Sequence, residues 1–334
     1  MLLQLRSCLL LLLMTQPVWP IVQATYTPTF DGSQAFVYLN SQCDFGPRPP
    51  GSDNLSLCRA YIVGCMTTDG WNITLQNFTY LGVPCVNIIG RWGSSDNACL
   101  ILGAHYDTRP QADQESNPTN RTKPVIGAND GASGVAVLLE LACALPEEVR
   151  GSVEFVFFDA EDSGNINSWQ WIVGSTYYVG QLSSDRKTTI RAMILLDMVG
   201  DTNVRLLRET SSTKSLQDYL WSIAEDIGHN GTFLDDIGAS ILDDHRPFLS
   251  AGIPSLDIIQ HNPFPSYWHT LEDTPDKCSA GSLEIVGQVL ETFVVQYANN
   301  TTSFSQDTGF LAYVPLLILL FVVCLVAYSR LRQR

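Results

Sequence analysis

Four runs of this chain are apolar almost without interruption, and each leads directly to groups that can carry charge. Leu100-Ile101-Leu102-Gly103-Ala104 ends on His105, and Val153-Glu154-Phe155-Val156-Phe157-Phe158 is followed within four residues by Glu161 and Asp162. Ala192-Met193-Ile194-Leu195-Leu196 ends on Asp197, and Ser255-Leu256-Asp257-Ile258-Ile259 precedes a loop that carries His269. Strands that are apolar on both sides belong in a parallel sheet covered by helices on both faces. Helical stretches fall between them, after Gly134 and over residues 216–227 and 283–296. The expected class is therefore α/β: a mixed, largely parallel central sheet flanked by helices on both faces, forming a single catalytic domain. Residues 25–50 read as a polar, Pro-rich lead-in and 57–67 as a helix. Residues 82–92 and 98–105 read as two strands joined by a hairpin turn at 93–97, and 107–125 as a polar loop.

The two ends of the chain differ from the middle. Residues 1–24 combine Arg6, an apolar run over 8–14 and small residues at Val22 and Ala24, the pattern of a signal peptide. Residues 310–328 are apolar and uncharged, and Arg330, Arg332 and Arg334 follow. About 20 apolar residues span the hydrocarbon core of a bilayer, and trailing arginines favour the cytosol. The expected organisation is a signal peptide (1–24), a luminal or extracellular catalytic domain (25–298), a linker (299–309), a transmembrane helix (310–328) and a cytosolic tail (329–334). That makes a single-pass type I protein of the secretory pathway. Asn54, Asn72, Asn77, Asn120, Asn230, Asn299 and Asn300 each stand in a glycosylation sequon, as an exported surface allows. Seven of the nine cysteines lie between the two terminal segments, and their spacing leaves any pairing open. The formal charge of −15 excludes nucleic acid as a partner, because phosphate binding requires a basic surface.

Ionisable residues at strand ends converge where an α/β sheet places its sites, outside the carboxyl ends of the strands. Gly127-Ala128-Asn129-Asp130-Gly131-Ala132-Ser133-Gly134 adds a carboxylate among small residues, just before an apolar helix. Histidine and carboxylate ligands without thiolate fit zinc in a catalytic role. Asp130 can bridge two ions, one held with His105 and Asp197 and the other with Asp162 and His269; such pairs sit roughly 3.5–4 Å apart. Asp107, two residues beyond His105, can fix its tautomer. Glu161 is left free beside Asp162, where a proton carrier belongs.

At these residues the chain resembles metallopeptidase family 28, the zinc aminopeptidases and their glutaminyl cyclase branch. The resemblance spans roughly residues 45–289. It rests on His105-Tyr106-Asp107-Thr108, Asn129-Asp130-Gly131-Ala132-Ser133-Gly134, Glu161-Asp162, Leu196-Asp197 and Trp268-His269-Thr270, in that order. It implies that His105, Asp130, Asp162, Asp197 and His269 are metal ligands, with one or two Zn2+ ions as cofactor. It also implies that Glu161 is the catalytic base and that peptide or protein N-termini are the substrates. Where this chain has Asp162, many members have Glu.

Three features resemble the cyclase branch. Asp243-Asp244-His245-Arg246-Pro247-Phe248-Leu249 matches a cyclase run that would put Asp243 in a hydrogen-bond relay with Glu161. Pro263-Phe264-Pro265 with Trp268 matches its pocket wall, and Trp169 or Trp171 would supply a second aromatic wall. Two features point to the aminopeptidases: Asp257 stands where animal cyclases carry His, and the Asp130 motif has the aminopeptidase form. The reading preferred is glutaminyl-peptide cyclotransferase. A zinc aminopeptidase is the alternative, and an inactive ectodomain used for binding is a third.

Overall fold

Side-chain alternation along the strands decides where the two helical layers lie. The computed structural model describes residues 26–93 and 98–299. It contains strands β1 (Asn72–Tyr80), β2 (Val83–Arg91), β3 (Leu100–His105), β4 (Val153–Phe158), β5 (Ala192–Asp197), β6 (Leu206–Arg208), β7 (Phe233–Ile237) and β8 (Ser255–Ile259). Successive residues of a strand point to opposite faces. Leu100, Leu102, Phe155, Phe157, Ile194 and Leu196 accordingly enter one core with the helices Gly32–Cys43, Asp53–Thr68, Ala132–Ala144, Lys214–Asp226 and Ala280–Asn299. Ile101, Val156, Phe158, Met193 and Leu195 enter the opposite core, under the helix Val173–Gln181 and Phe248.

The main sheet has six strands in the order β1-β2-β4-β3-β5-β8. β4, β3, β5 and β8 are mutually parallel, while β2 is antiparallel to both β4 and β1. β6 and β7 form a separate two-stranded sheet. The expected mixed, largely parallel sheet between helices is what the chain folds into. Its core helices extend a few residues beyond the expected limits, and Ser52 caps one of them by accepting from Leu55 N.

Two expectations are corrected. β2 and β3 do not form a hairpin, because β3 has β4 on one side and β5 on the other. The hairpin is β1–β2, with Tyr80 paired to Val83 across Leu81-Gly82. Both turn residues have positive φ (48° and 83°), the geometry whose twist matches that of paired strands. The lead-in also contains a helix, Gly32–Cys43, started by Asp31, whose carboxylate accepts from Ser33 N and Gln34 N. It is held by tertiary burial of Ala35, Leu39 and Cys43 rather than by a strong apolar period.

Of the sequon asparagines, Asn72, Asn77 and Asn230 are exposed. Residues 1–24 and 310–328 lie outside the described residues. Among the described residues no helix is long and apolar enough to cross a membrane, and all seven cysteines are unpaired thiols.

Candidate metal centre

Close packing fixes the turn that carries Asp130. Gly134 sits where a Cβ would lie 2.3 Å from Leu196 O, so the helix Ala132–Ala144 rests directly on the sheet. Gly131 has φ of 106°, and a Cβ there would meet Asp107 O at 2.6 Å. Asp273 accepts from Asn129 N (2.8 Å) and Asp130 N (3.0 Å), one on each carboxylate oxygen. The Asn129 side chain accepts from Gly200 N and donates to Tyr267 Oη, which ties the turn to the segment after β5 and to the loop after β8.

With the turn held this way, Asp130 stands between two imidazoles. His105 Nε2 lies 3.2 Å from Asp130 Oδ1 and 3.2 Å from Asp197 Oδ1. His269 Nε2 lies 3.4 Å from Asp130 Oδ2 and 3.2 Å from Asp162 Oδ1. The ligand atoms of His105, Asp130 and Asp197 fall within 4.8 Å of one another, as do those of Asp130, Asp162 and His269. All five expected ligand residues are thus brought together, buried, with one oxygen of Asp130 facing each group. Ala160, Met198 and His269 all have positive φ (61°, 47° and 55°), so left-handed backbone, costly for non-glycine residues, is concentrated around the ligands.

Each imidazole is backed by a carboxylate. Asp107 Oδ1 lies 3.6 Å from His105 Nδ1, and the same carboxylate accepts from Glu161 N (3.0 Å) and Asp162 N (3.2 Å). Asp113 lies 3.5 Å from His269 Nδ1 and pairs with Arg109, whose guanidinium also donates to Asp162 Oδ1 at 3.3 Å. Burial works to deprotonate His105, yet Asp107, Asp130 and Asp197 outweigh it and raise it well above the ordinary range. His269 is raised likewise, by Asp162, Asp113 and Asp130 against burial. Burial also opposes ionisation of Asp130, but the two imidazoles hold it below the usual carboxylate range. Asp162 is lifted to about 6, by burial and then by Asp130.

The donor set fits a divalent cation. It offers nitrogen and oxygen ligands without thiolate, and Asp162 Oδ2 is buried with no hydrogen-bond donor, a loss that a cation removes.

A cavity of about 250 Å3 opens onto this cluster and is lined by Glu161, Asp243, Trp171, Phe264 and Trp268 as well as by ligand residues. Phe264 stacks on Trp268 at 4.4 Å, Trp268 on His269 at 3.7 Å, and Trp171 lies parallel to His269 at 6.0 Å. Trp169 does not line this cavity. It packs on Tyr80 at 5.1 Å, and the indole in the wall is Trp171. Burial pushes the Glu161 carboxyl well up; Asp243, Asp162 and Asp244 push the same way against the pull of His105. Behind it lie the buried Asp243 and Asp257; burial raises both carboxyls well above the ordinary range, and Asp243 raises Asp257 further. His245 follows, with Nδ1 3.5 Å from Asp257 and Nε2 2.9 Å from Ser211 Oγ; burial lowers it to about 4, so it is neutral.

Sequence reasoning missed Arg109, Asp113 and Asp273. Arg109 and Asp113 lie in a polar loop without periodicity, and Asp273 reads as one acid among several in a turn.

The peptidase family M28 model matches residues 87–294, which contain every one of these ligands. The chain belongs to peptidase family M28. The glutaminyl-peptide cyclotransferase of Boiga irregularis is 25% identical over 337 aligned positions, covering 84% of this chain and 89% of that protein. Among solved structures, the glutaminyl cyclase of Bacteroides thetaiotaomicron bound to N-acetylhistamine has a TM-score of 0.73 and 33% identity. It covers 80% of this chain and 99% of its own. A leucine aminopeptidase precursor from the same organism also has a TM-score of 0.73 and 33% identity, with 81% and 98% covered.

Proposed function

We propose that this chain is a zinc-dependent glutaminyl-peptide cyclotransferase, converting N-terminal Gln to pyroglutamate with release of ammonia. The observation that carries this reading is the aromatic cavity over the Asp130, Asp162 and His269 group, with Glu161 and Asp243 in its wall. Zinc, when bound by those three residues or by them together with His105 and Asp197, supplies Lewis acidity toward a carbonyl oxygen. Phe264, Trp268 and Trp171 hold the Gln side chain against the cluster and keep water away from it. Glu161 takes a proton from the α-amine as its nitrogen attacks the side-chain amide carbon. It then delivers that proton to the departing amide nitrogen, which leaves as ammonia. A carboxyl raised by burial suits both halves of this transfer near neutral pH. Asp243, in the same cavity wall, orients Glu161 and takes part in no bond change.

The second reading, a zinc aminopeptidase, is favoured by the completeness of the two ligand groups and by the likeness to the leucine aminopeptidase precursor. There Glu161 accepts a proton from water that attacks the first peptide bond. Purified ectodomain separates the two. Ammonia release from a Gln-initiated peptide without cleavage of a Leu-initiated one supports the cyclase, and the reverse result removes it. Metal analysis of the same sample gives the number of zinc ions.

The chain as a whole is read as exported and anchored. Residues 1–24 direct it to the secretory pathway, 25–298 are the catalytic domain, and 310–328 cross the membrane after the 299–309 linker. The tail 329–334 then lies in the cytosol, and exposed Asn72, Asn77 and Asn230 are accessible to glycosylation.

A further inference from the structure

A second cavity, of about 320 Å3, lies on the other side of Trp171 and is walled by Phe78, Tyr80, Val173, Thr176 and Tyr177. Trp171 borders both cavities, so one indole is their common partition. Arg109 lies over that ring at 4.6 Å, and the ring runs parallel to His269, which fixes the partition from the metal side. On the far side Phe78 and Tyr177 stack face to face at 4.6 Å, and both border the slot. An apolar cavity of about 150 Å3 is enough to bind benzene, so this slot has room for an aromatic side chain.

We infer that the slot is a subsite for an apolar, preferably aromatic, side chain at the second or third position of the peptide whose N-terminal residue occupies the metal cavity. The inference rests on the reading of that cavity as a site for peptide N-termini. An extended chain advances roughly 3.3–3.6 Å per residue, so it clears a single indole within two or three residues. Continuity through Trp171 selects the peptide as occupant: the slot begins where the chain leaves the reacting residue. It also makes Trp171 the boundary between the residue that reacts and the one that follows it.

The test compares Gln-Gly-Gly, Gln-Phe-Gly and Gln-Gly-Phe amides on the zinc-loaded ectodomain. One Phe peptide is expected to show a KM roughly tenfold lower than the all-glycine peptide at similar kcat, as burial of a ring before and during reaction requires. Thr176→Trp fills the slot from an exposed helical position and should abolish that preference while leaving Gln-Gly-Gly turnover unchanged. Tyr177→Ala should weaken it by enlarging the slot. Equal KM for all three peptides, or a preference that survives Thr176→Trp, overturns the inference. A Thr176→Trp protein that keeps the preference but sediments differently assigns the slot to a second copy of the chain instead, and also overturns it. The same series begun with Leu separates the two claims. A Phe preference there, without turnover of Gln peptides, upholds the slot and removes the cyclase; no turnover in either series removes both.

Discussion

The two halves of the metal cluster share Asp130 but are built differently around it. The His105 and Asp197 half lies at the ends of two adjacent parallel strands, and His105 is backed by Asp107, which is fully buried. The Asp162 and His269 half is carried by loops, backed by the partly exposed Asp113, and has the Arg109 guanidinium against Asp162. Both His269 and Asp162 line the aromatic cavity, whereas the first half reaches it through Asp197 and not through His105. One half is therefore strongly anionic and meets the cavity with a single carboxylate, and the other is charge-compensated and meets it with both side chains.

The largest effect should come from Asp130→Ala, which removes the residue common to both halves. Bound zinc, whether one ion or two, should be lost and activity should fall to background, as metal analysis and turnover would report. Zinc retained at the wild-type stoichiometry would break the picture of a shared carboxylate. Glu161→Gln should lower kcat by about 10^2–10^4-fold while the zinc content stays unchanged, since it changes the proposed proton carrier and none of the candidate ligands. Next, Asp107→Asn should weaken metal binding by roughly 10–100-fold, and Asp113→Asn by less, because Asp113 is partly solvated. Equal losses, measured by competition with a chelator, would mean that the two backing carboxylates are equivalent.

Protonation sharpens the same contrast. His105 and His269 are both raised in the absence of a cation, so each must give up a proton when its nitrogen takes a ligand position. Zinc affinity should consequently increase as pH rises, and calorimetry in buffers of different ionisation enthalpy should detect proton release.

The smallest effect concerns stability without metal. Burial lifts Asp273 to about 7 and Asp159 to about 8, so in the folded chain they keep protons that the unfolded chain gives up near pH 4. Stability of the apo domain should then decline as pH rises from about 4 toward 8. A Tm that climbs over that interval would contradict these buried acids.

How much of this was legible depends on whether a residue announced itself by pattern. The parallel strands were readable because both faces are buried and each run is continuously apolar, and the five ligands followed because they sit at or shortly after those strands or at a helix start. β1 was not readable: as the edge strand it is largely exposed and polar, and its pairing is set by the Leu81-Gly82 turn. Trp169 and Trp171 have the same local composition, so only the fold of their loop could assign one to Tyr80 and the other to the cavity. Arg109, Asp113 and Asp273 act through neighbours brought near by loops, which leave no periodic trace.

The grip of Asp273 on the Asn129 and Asp130 amides sets an order of assembly. The bridging carboxylate is encoded more than a hundred residues before the side chain that steadies it, and His269 arrives only with that same late loop. A nascent chain emerging from its amino end would have the strands early but no finished seat for an ion until the final loop had docked. Metal loading would thus report completion of the domain, and a truncation before residue 262 should leave a chain that neither retains zinc nor can be rescued by adding it.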